Sequence, residues 1–365
     1  MSENEKLSLF TFYYVGIAVS AVVGSKFFPQ KRVKYLKLWP FIGGIATLLM
    51  SAFFVNNLAV NILLAFFLGI SIGVGFPSCM GNFADSTFIE ERGFIGGVVW
   101  SAVGFFVLLF AILISMFGRL EMIIMLALWR FLGGAGFLFM QQKCETFHTR
   151  KSLSYAEILH KKDTLLYLFP WILFCIINWA EIPIIEKAFT AVGIDFSFVL
   201  LVEFALIGVF ALLGGIIADA IGRKRVVIAG FIMLGIEYAA MSISFNSPIT
   251  LYLFLTFDGS TWGLFFSVFF MTLWGDLGEN YEKEKYYILG GLPYLLAGFV
   301  SVLIEPYVRV ISSAAAFSFA SFFLFLAVVP LMFAPETLPE KALKERELRS
   351  YIEKAKRVRE KFTKS

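Results

Sequence analysis

The sequence predicts an all-α membrane protein, a bundle of about eleven transmembrane helices, on three observations. Hydrophobic residues make up 59% of the chain and charged residues only 16%, and the mean hydropathy is +0.81. A soluble domain needs a largely polar surface, so this composition excludes one. Apolar stretches of span length recur along the chain. The interval from Leu38 to Ala84 holds no charged residue, which is long enough for two spans around a turn at Asn56-Asn57. No barrel-type alternation is present, and inside hydrocarbon each backbone amide must be satisfied within its own segment, which leaves helices.

Reading between charge clusters, the spans fall near 8–26, 37–55, 58–81, 93–116, 121–141, 164–185, 196–218, 226–245, 249–275, 286–306 and 312–334. Their orientation follows from the short loops, because Lys and Arg are retained on the cytoplasmic side. Of the 31 Lys and Arg residues, Lys6, Arg119, Lys187 and Arg309 fall in outside segments and Arg130 within a span, so the other 26 lie inside. This places the amino terminus outside and the carboxyl terminus in the cytoplasm of a cell-membrane protein. The net charge of +4 is thereby a topology signal, and no nucleic-acid partner is expected. Met1 to Leu7 is acidic and lacks the basic region and cleavage site of a secretory signal, so the first span is expected to be retained.

Cys79, Cys144 and Cys175 are scattered without paired spacing, and His148 and His160 sit alone in a polar loop. Neither set builds a disulfide framework, a metal site or a catalytic cluster, and no cofactor is expected. A phosphate-binding G-x4-G-K-[ST] loop is also missing, which argues against ATP-driven chemistry.

The chain repeats at an offset of 191 residues. Gly24 aligns with Gly215, Arg32 with Arg223, Lys34 with Arg225, Asp85 with Asp276, Glu91 with Glu282 and Arg92 with Lys283. Parallel internal repeats are a frequent plan of transporters. They divide the chain into a five-helix half over 1–141, a cytoplasmic linker over 142–163, a six-helix half over 164–334 and a charged tail over 335–365. Tyr351, Ala355, Val358 and Phe362 give that tail a weakly apolar helical stripe. The span at 164–185 has no counterpart, since its mate would precede Met1. A further segment of roughly 30 residues, one span with a short flank, is the expectation there.

After the span at 196–218 comes Gly215-Ile-Ile-Ala-Asp219-Ala-Ile-Gly222-Arg223-Lys224-Arg225. Glycines permit a tight turn, the aspartate can cap the turn that follows, and the cations hold the loop inside. This G-x3-D-x2-G-R-K-R spacing, between two spans, resembles the signature loop of the major facilitator superfamily. Ala84-Asp85 with Glu90-Glu91-Arg92-Gly93 is similar to that family's loop between its fourth and fifth helices, and Pro335-Glu336-Thr337 resembles the ending common among its sugar and metabolite porters. The resemblance implies a two-fold pseudo-symmetric helical bundle, here without its first helix. In the first-half copy, Phe28 replaces the aspartate and Lys31 the second glycine, so that copy is not expected to make the same charge contacts. A Gly-Pro pair typical of drug antiporters is missing from Gly93 to Met116, which disfavours efflux.

Ionisable side chains at membrane depth are costly unless paired or hydrated, and each marks a candidate site. Asp258 stands in the run Phe257-Asp258-Gly259-Ser260-Thr261-Trp262, and by the resemblance its helix lines the central cavity. Glu181 follows Asn178 and Trp179 on a second such helix. Glu203 lies in the outer part of 196–218. Trp100, Trp179 and Trp262 sit beside polar residues and could stack on solute. Arg130 and Glu237 belong to helices the resemblance makes peripheral, where ion pairing is the expected role.

These readings converge on a monomeric secondary transporter, not an enzyme, that moves a small solute by alternating access. Proton symport of a sugar, organic acid or similar metabolite is the preferred form. An efflux antiporter, or a non-transporting remnant or sensor on the same fold, are the alternatives.

Overall fold

The computed structural model describes residues 2–27, 29, 32–51, 57–139, 151–245, 247–308 and 310–341, with positions 343, 344, 348, 351, 352 and 356 of the tail. Each predicted span is helical over its described residues. In chain order the first half contains α1 (Glu3–Phe27), α2 (Arg32–Leu49), α3 (Leu58–Gly73), α4 (Phe76–Ser86), α5 (Arg92–Met116) and α6 (Arg119–Leu138). The linker forms α7 (Tyr155–Leu159). The second half contains α8 (Lys162–Ala191), α9 (Phe196–Ile221), α10 (Arg223–Ser244), α11 (Pro248–Phe265), a π-helical segment (Phe266–Leu273), α12 (Trp274–Leu277), α13 (Lys283–Ile304) and α14 (Ser313–Phe333). Among the described residues, ten stretches are long and apolar enough to cross a membrane. The remaining predicted span, α2, carries Arg32, Lys34 and Lys37 in its first two turns.

Two predicted single spans are interrupted. The stretch at 58–81 divides into α3 and α4 where Pro77 enters near the start of α4, because proline lacks the amide that would continue the ladder and its ring obstructs the preceding turn. The stretch at 249–275 widens into the π-helical segment, in which the Thr272 hydroxyl donates to the Ser267 carbonyl five residues back at 2.7 Å. Such widenings concentrate at functional positions.

The repeat is structural. Adding 191 to the bounds of α2 and α5 gives 223 and 283, which are the first residues of α10 and α13. Packing obeys the same relation. α1 lies on α3 as α9 lies on α11, and α2 on α6 as α10 on α14. Across the halves, α5 packs on α9 and its counterpart α13 on α1. The α5–α9 crossing is close because small residues meet there: a Cβ on Gly215 would collide with the Gly93 carbonyl, and Gly104 faces Gly208. Between membrane helices, attraction comes from such close packing, since lipid is as apolar as the side chains.

The described part of the linker joins the halves. Ser154 and Glu157 form a capping box at the start of α7, satisfying amides that a short helix otherwise leaves unpaired. The Tyr155 hydroxyl meets Ser25 of α1. Lys161 lies 3.6 Å from the centre of the Tyr281 ring and donates to the Tyr286 hydroxyl at 2.8 Å. Lys143, Cys144 and His148, with most of the tail stripe, fall outside the described residues.

Candidate functional site

At the Lys- and Arg-rich end of the bundle, the Gly215–Arg225 loop closes one half against the other. Asp219 accepts hydrogen bonds from the Gly93 and Phe94 amides, at 3.1 and 2.7 Å. These are first-turn amides of α5, whose partial positive charge favours a carboxylate. The sequence suggested that Asp219 could cap the turn that follows it; it caps a helix of the opposite half, because the Gly93–Gly215 contact brings that helix end within reach. Gly222 has φ +104°, a conformation that side chains disfavour, and a Cβ there would strike the Glu336 carboxylate. Glu336 accepts from the Arg223 and Lys224 amides at 2.8 and 3.2 Å, capping α10. The Pro335-Glu336-Thr337 ending is thus bound to the signature loop, and Lys224 further donates to the Met332 carbonyl at 2.7 Å. Arg225 is exposed.

Arg223 is fully buried. It pairs with Asp219 at 2.9 Å and Asp276 at 3.3 Å, and donates to the Ile89 carbonyl of the first half at 2.6 Å. Arg92, also fully buried, pairs with the other oxygen of Asp276 and reaches Glu279 at 2.9 Å. The repeat builds the same triad again: Arg32 pairs with Asp85 at 2.6 Å, and Lys283 pairs with Asp85 at 3.1 Å. Each triad borrows its second cation from the opposite half. Where Phe28 leaves the first-half loop without the motif's carboxylate, Glu284 of α13 pairs with Arg32 instead. Charge contacts are therefore present around the degenerate loop, through a residue outside it. Glu279 and Glu284 escaped the sequence reading, and Lys283 entered it only as the counterpart of Arg92.

Within the membrane-spanning region the second half gathers acids. Glu203 of α9 and Asp258 of α11 lie within hydrogen-bonding reach of each other. Two carboxyl groups can share such a bond only with a proton between them. Glu237 of α10 is fully buried, and neither of its carboxyl oxygens has a partner; one Glu181 oxygen is likewise without one. Among the described residues no Lys, Arg or His pairs with any of these four carboxyls. Arg130 and Glu237 do not pair with each other. Arg130 lies among α2, α3 and α6, where its Nη1 donates to the Gly43 carbonyl at 3.0 Å and to Ser71 Oγ at 3.4 Å.

The other candidates divide. Asn178 donates to the Phe174 carbonyl and Ser260 to the Thr256 carbonyl, each one turn back. Thr261 is buried against Gly230 of α10, with its hydroxyl unpartnered. The three tryptophans line the boundary between the halves. Trp100 of α5 stacks on Phe266 with ring centres 3.8 Å apart and planes 6° from parallel. Trp262 and Trp179 lie 5.9 and 6.4 Å from the Tyr294 ring, and Phe270 bridges Trp100 and Tyr294. The π-helical segment sets Phe266 and Phe270 toward Trp100, a placement that residue spacing alone does not reveal.

At the opposite end a cavity of about 990 Å³ lies between the halves, lined by residues of α1, α8, α13 and the turn that follows α13, among them Glu3, Lys6, Glu186, Lys187 and Glu305. The Lys6–Glu305 ion pair crosses its rim and is exposed.

No family model matches the sequence, and no curated protein matches it. Solved structures do. The chain superposes on the human organic anion transporter MFSD10 (TETRAN) with a TM-score of 0.65 and 15% identity, over 89% of this chain and 83% of that one. It superposes on the proton:xylose symporter XylE of the major facilitator superfamily, bound to 6-bromo-6-deoxy-D-glucose, with a TM-score of 0.67 and 14% identity, over 90% and 85% of the two chains. The chain has the helical-bundle fold of the major facilitator superfamily.

Proposed function

We propose that this major-facilitator bundle is a secondary transporter, which carries a small solute across the cell membrane by rocking its two halves about a central layer. Its basic end faces the cytoplasm, by the charge rule for short loops. One observation carries this reading: the halves are locked at the basic end by buried cross-half ion pairs, while at the other a cavity of about 990 Å³ lies between them, crossed by a single exposed ion pair among the described residues. That asymmetry is what an outward-facing state requires. The two triads, each completed from the opposite half, must break together for the inner end to open.

Coupling to protons is supported by the Glu203–Asp258 contact, two membrane-depth carboxyls with which, among the described residues, no cation pairs; such a pair is suited to take up and release a proton. A sugar, organic acid or similar metabolite is the solute class, with Trp100, Trp179, Trp262 and Tyr294 as stacking surfaces and Glu181 on the outer approach. The neighbouring structures include a proton:xylose symporter and an organic anion transporter, which supports a polar metabolite.

The test is uptake of a panel of radiolabelled sugars and carboxylates into proteoliposomes with an imposed pH gradient. Gradient-driven accumulation that falls at least about tenfold, or 1.4 kcal/mol, in Glu203→Gln and Asp258→Asn supports the reading. Flux that is equal with and without the gradient removes the proton coupling. Absence of any flux from a well-folded protein favours the non-transporting alternative.

A further inference from the structure

We propose that Glu237 is a second proton-carrying group of this transporter, acting with the Glu203–Asp258 pair in one cluster of carboxyls gathered around Tyr238. The proposal rests on the proton coupling inferred above and adds a site to it. Four helices of the second half each bring one carboxyl to a common level. Glu203 of α9 is seven residues from Phe196 and Glu237 of α10 seven from Ser244, while Asp258 of α11 is ten from Pro248 and Glu181 of α8 ten from Ala191, all counted from the ends away from the basic side. At 1.5 Å per residue the depths are about 10 and 15 Å, between the membrane surface and its middle. Tyr238, buried beside Glu237, lies within electrostatic range of all four.

The packing of these helices does not require the acids. By the 191-residue repeat the counterparts of Glu203, Glu237 and Asp258 are Phe12, Ala46 and Phe67, and the first half packs the equivalent helices on one another in the same way. Glu237 is the extreme case. Its side chain is fully buried and neither oxygen has a partner, an arrangement that costs stability and is kept where a buried group has work to do. Helices α9, α11 and α14 and the π-helical segment pack against α10. The titratable groups they turn toward Glu237 are Glu203 and Asp258; α14 and the π-helical segment contain none. An ionised Glu237 therefore faces only like charges, so its protonation is linked to that of the pair and the protons leave and return as one coupled set. Tyr294 ties this set to the solute layer, because it lies beside Glu203 and its ring packs against Trp179, Trp262 and Phe270. Each cycle forms one O–H bond on the pair and one on Glu237 with protons from water outside, and breaks both to water inside, leaving the carboxyls as they began.

The first test follows carboxyl C=O bands by infrared spectroscopy while the full chain in nanodiscs is stepped in pH, with no solute present. One deuterium-sensitive band should be missing in Glu237→Gln, and in the native chain that band should rise and fall with pH. Its midpoint should move by about one pH unit or more in Asp258→Asn, the size of shift that defines interacting groups. Glu237→Asp should keep a titrating band, which separates loss of the proton site from misfolding. The second test uses D-xylose and succinate as probe solutes in proteoliposomes at zero membrane potential. A probe that accumulates should gain about a hundredfold per pH unit of gradient in the native chain and about tenfold in Glu237→Gln, one factor of ten for each coupled proton. A Glu237 band that stays constant across the pH range overturns the proposal, as does a midpoint unmoved by Asp258→Asn or an accumulation ratio that Glu237→Gln leaves unchanged. Accumulation that ignores the gradient removes the proton coupling itself, whereas a fixed Glu237 band with gradient-driven accumulation intact removes only the second carrier. If neither probe accumulates, the spectra still decide, because they need only the pH step.

Discussion

Glu284 occupies in α13 the place that Gly93 occupies in α5, 191 residues earlier. Around Gly93 the loop supplies the acid, Asp219, and the helix supplies bare amides. Around Glu284 the helix supplies the acid and Arg32 of the opposite half receives it. The ion pair that closes the basic end has been kept while its carboxylate moved from one half to the other.

That exchange predicts a rescue. Glu284→Gln should lower the thermal midpoint in detergent, since Arg32 then loses a buried carboxylate partner; losing a buried charged hydrogen bond costs about 1–3 kcal/mol. Adding Phe28→Asp, which restores the aspartate of the motif, should recover part of that loss. No recovery would mean that the two carboxylates are not equivalent.

Asp276 separates Arg92 from Arg223, and all three side chains are buried. Asp276→Asn leaves two guanidinium groups facing each other in a dry interior and should destabilise the chain by about 3–5 kcal/mol. Lys6→Ala removes an exposed pair and should change stability by about 1 kcal/mol or less. Unfolding midpoints of the two variants, measured side by side, check the contrast.

Glu279 gives the inner closure a pH dependence. Burial pushes its carboxyl up, but the Lys283 hydrogen bond and charge, with the Arg92 charge, outweigh this and hold it below its ordinary value of 4.5. A carboxyl lowered by folding stabilises the folded state above its unfolded pKa, and that contribution disappears as pH falls through the lowered value. Spin labels across the basic end should therefore separate as pH drops below about 4.5, and the part due to this group should be missing in Glu279→Gln.

Trp100→Ala removes the flat ring contact between the halves. Aromatic pairs contribute about 0.5–1.5 kcal/mol beyond area, so the halves should part more readily. Distances between labels on α5 and the π-helical segment should broaden, while labels within one half stay unchanged.

Composition and the charge of the loops sufficed to predict a multi-pass helical bundle, because hydrocarbon tolerates no unsatisfied backbone and so leaves one architecture for long apolar runs. The 191-residue repeat was legible as well, since Arg32, Asp85 and Arg92 align with Arg223, Asp276 and Lys283 at fixed spacing. The tertiary structure decided which charges meet. Asp219 caps a helix of the other half, Glu284 stands in for an acid missing at Phe28, and Trp100 stacks on a phenylalanine turned by a π-helical segment. Arg130 and Glu237, both acceptable as partners on charge alone, lie in separate halves. Pairing depends on how two rigid bundles face one another, and that relation is not written in the period or spacing of either one.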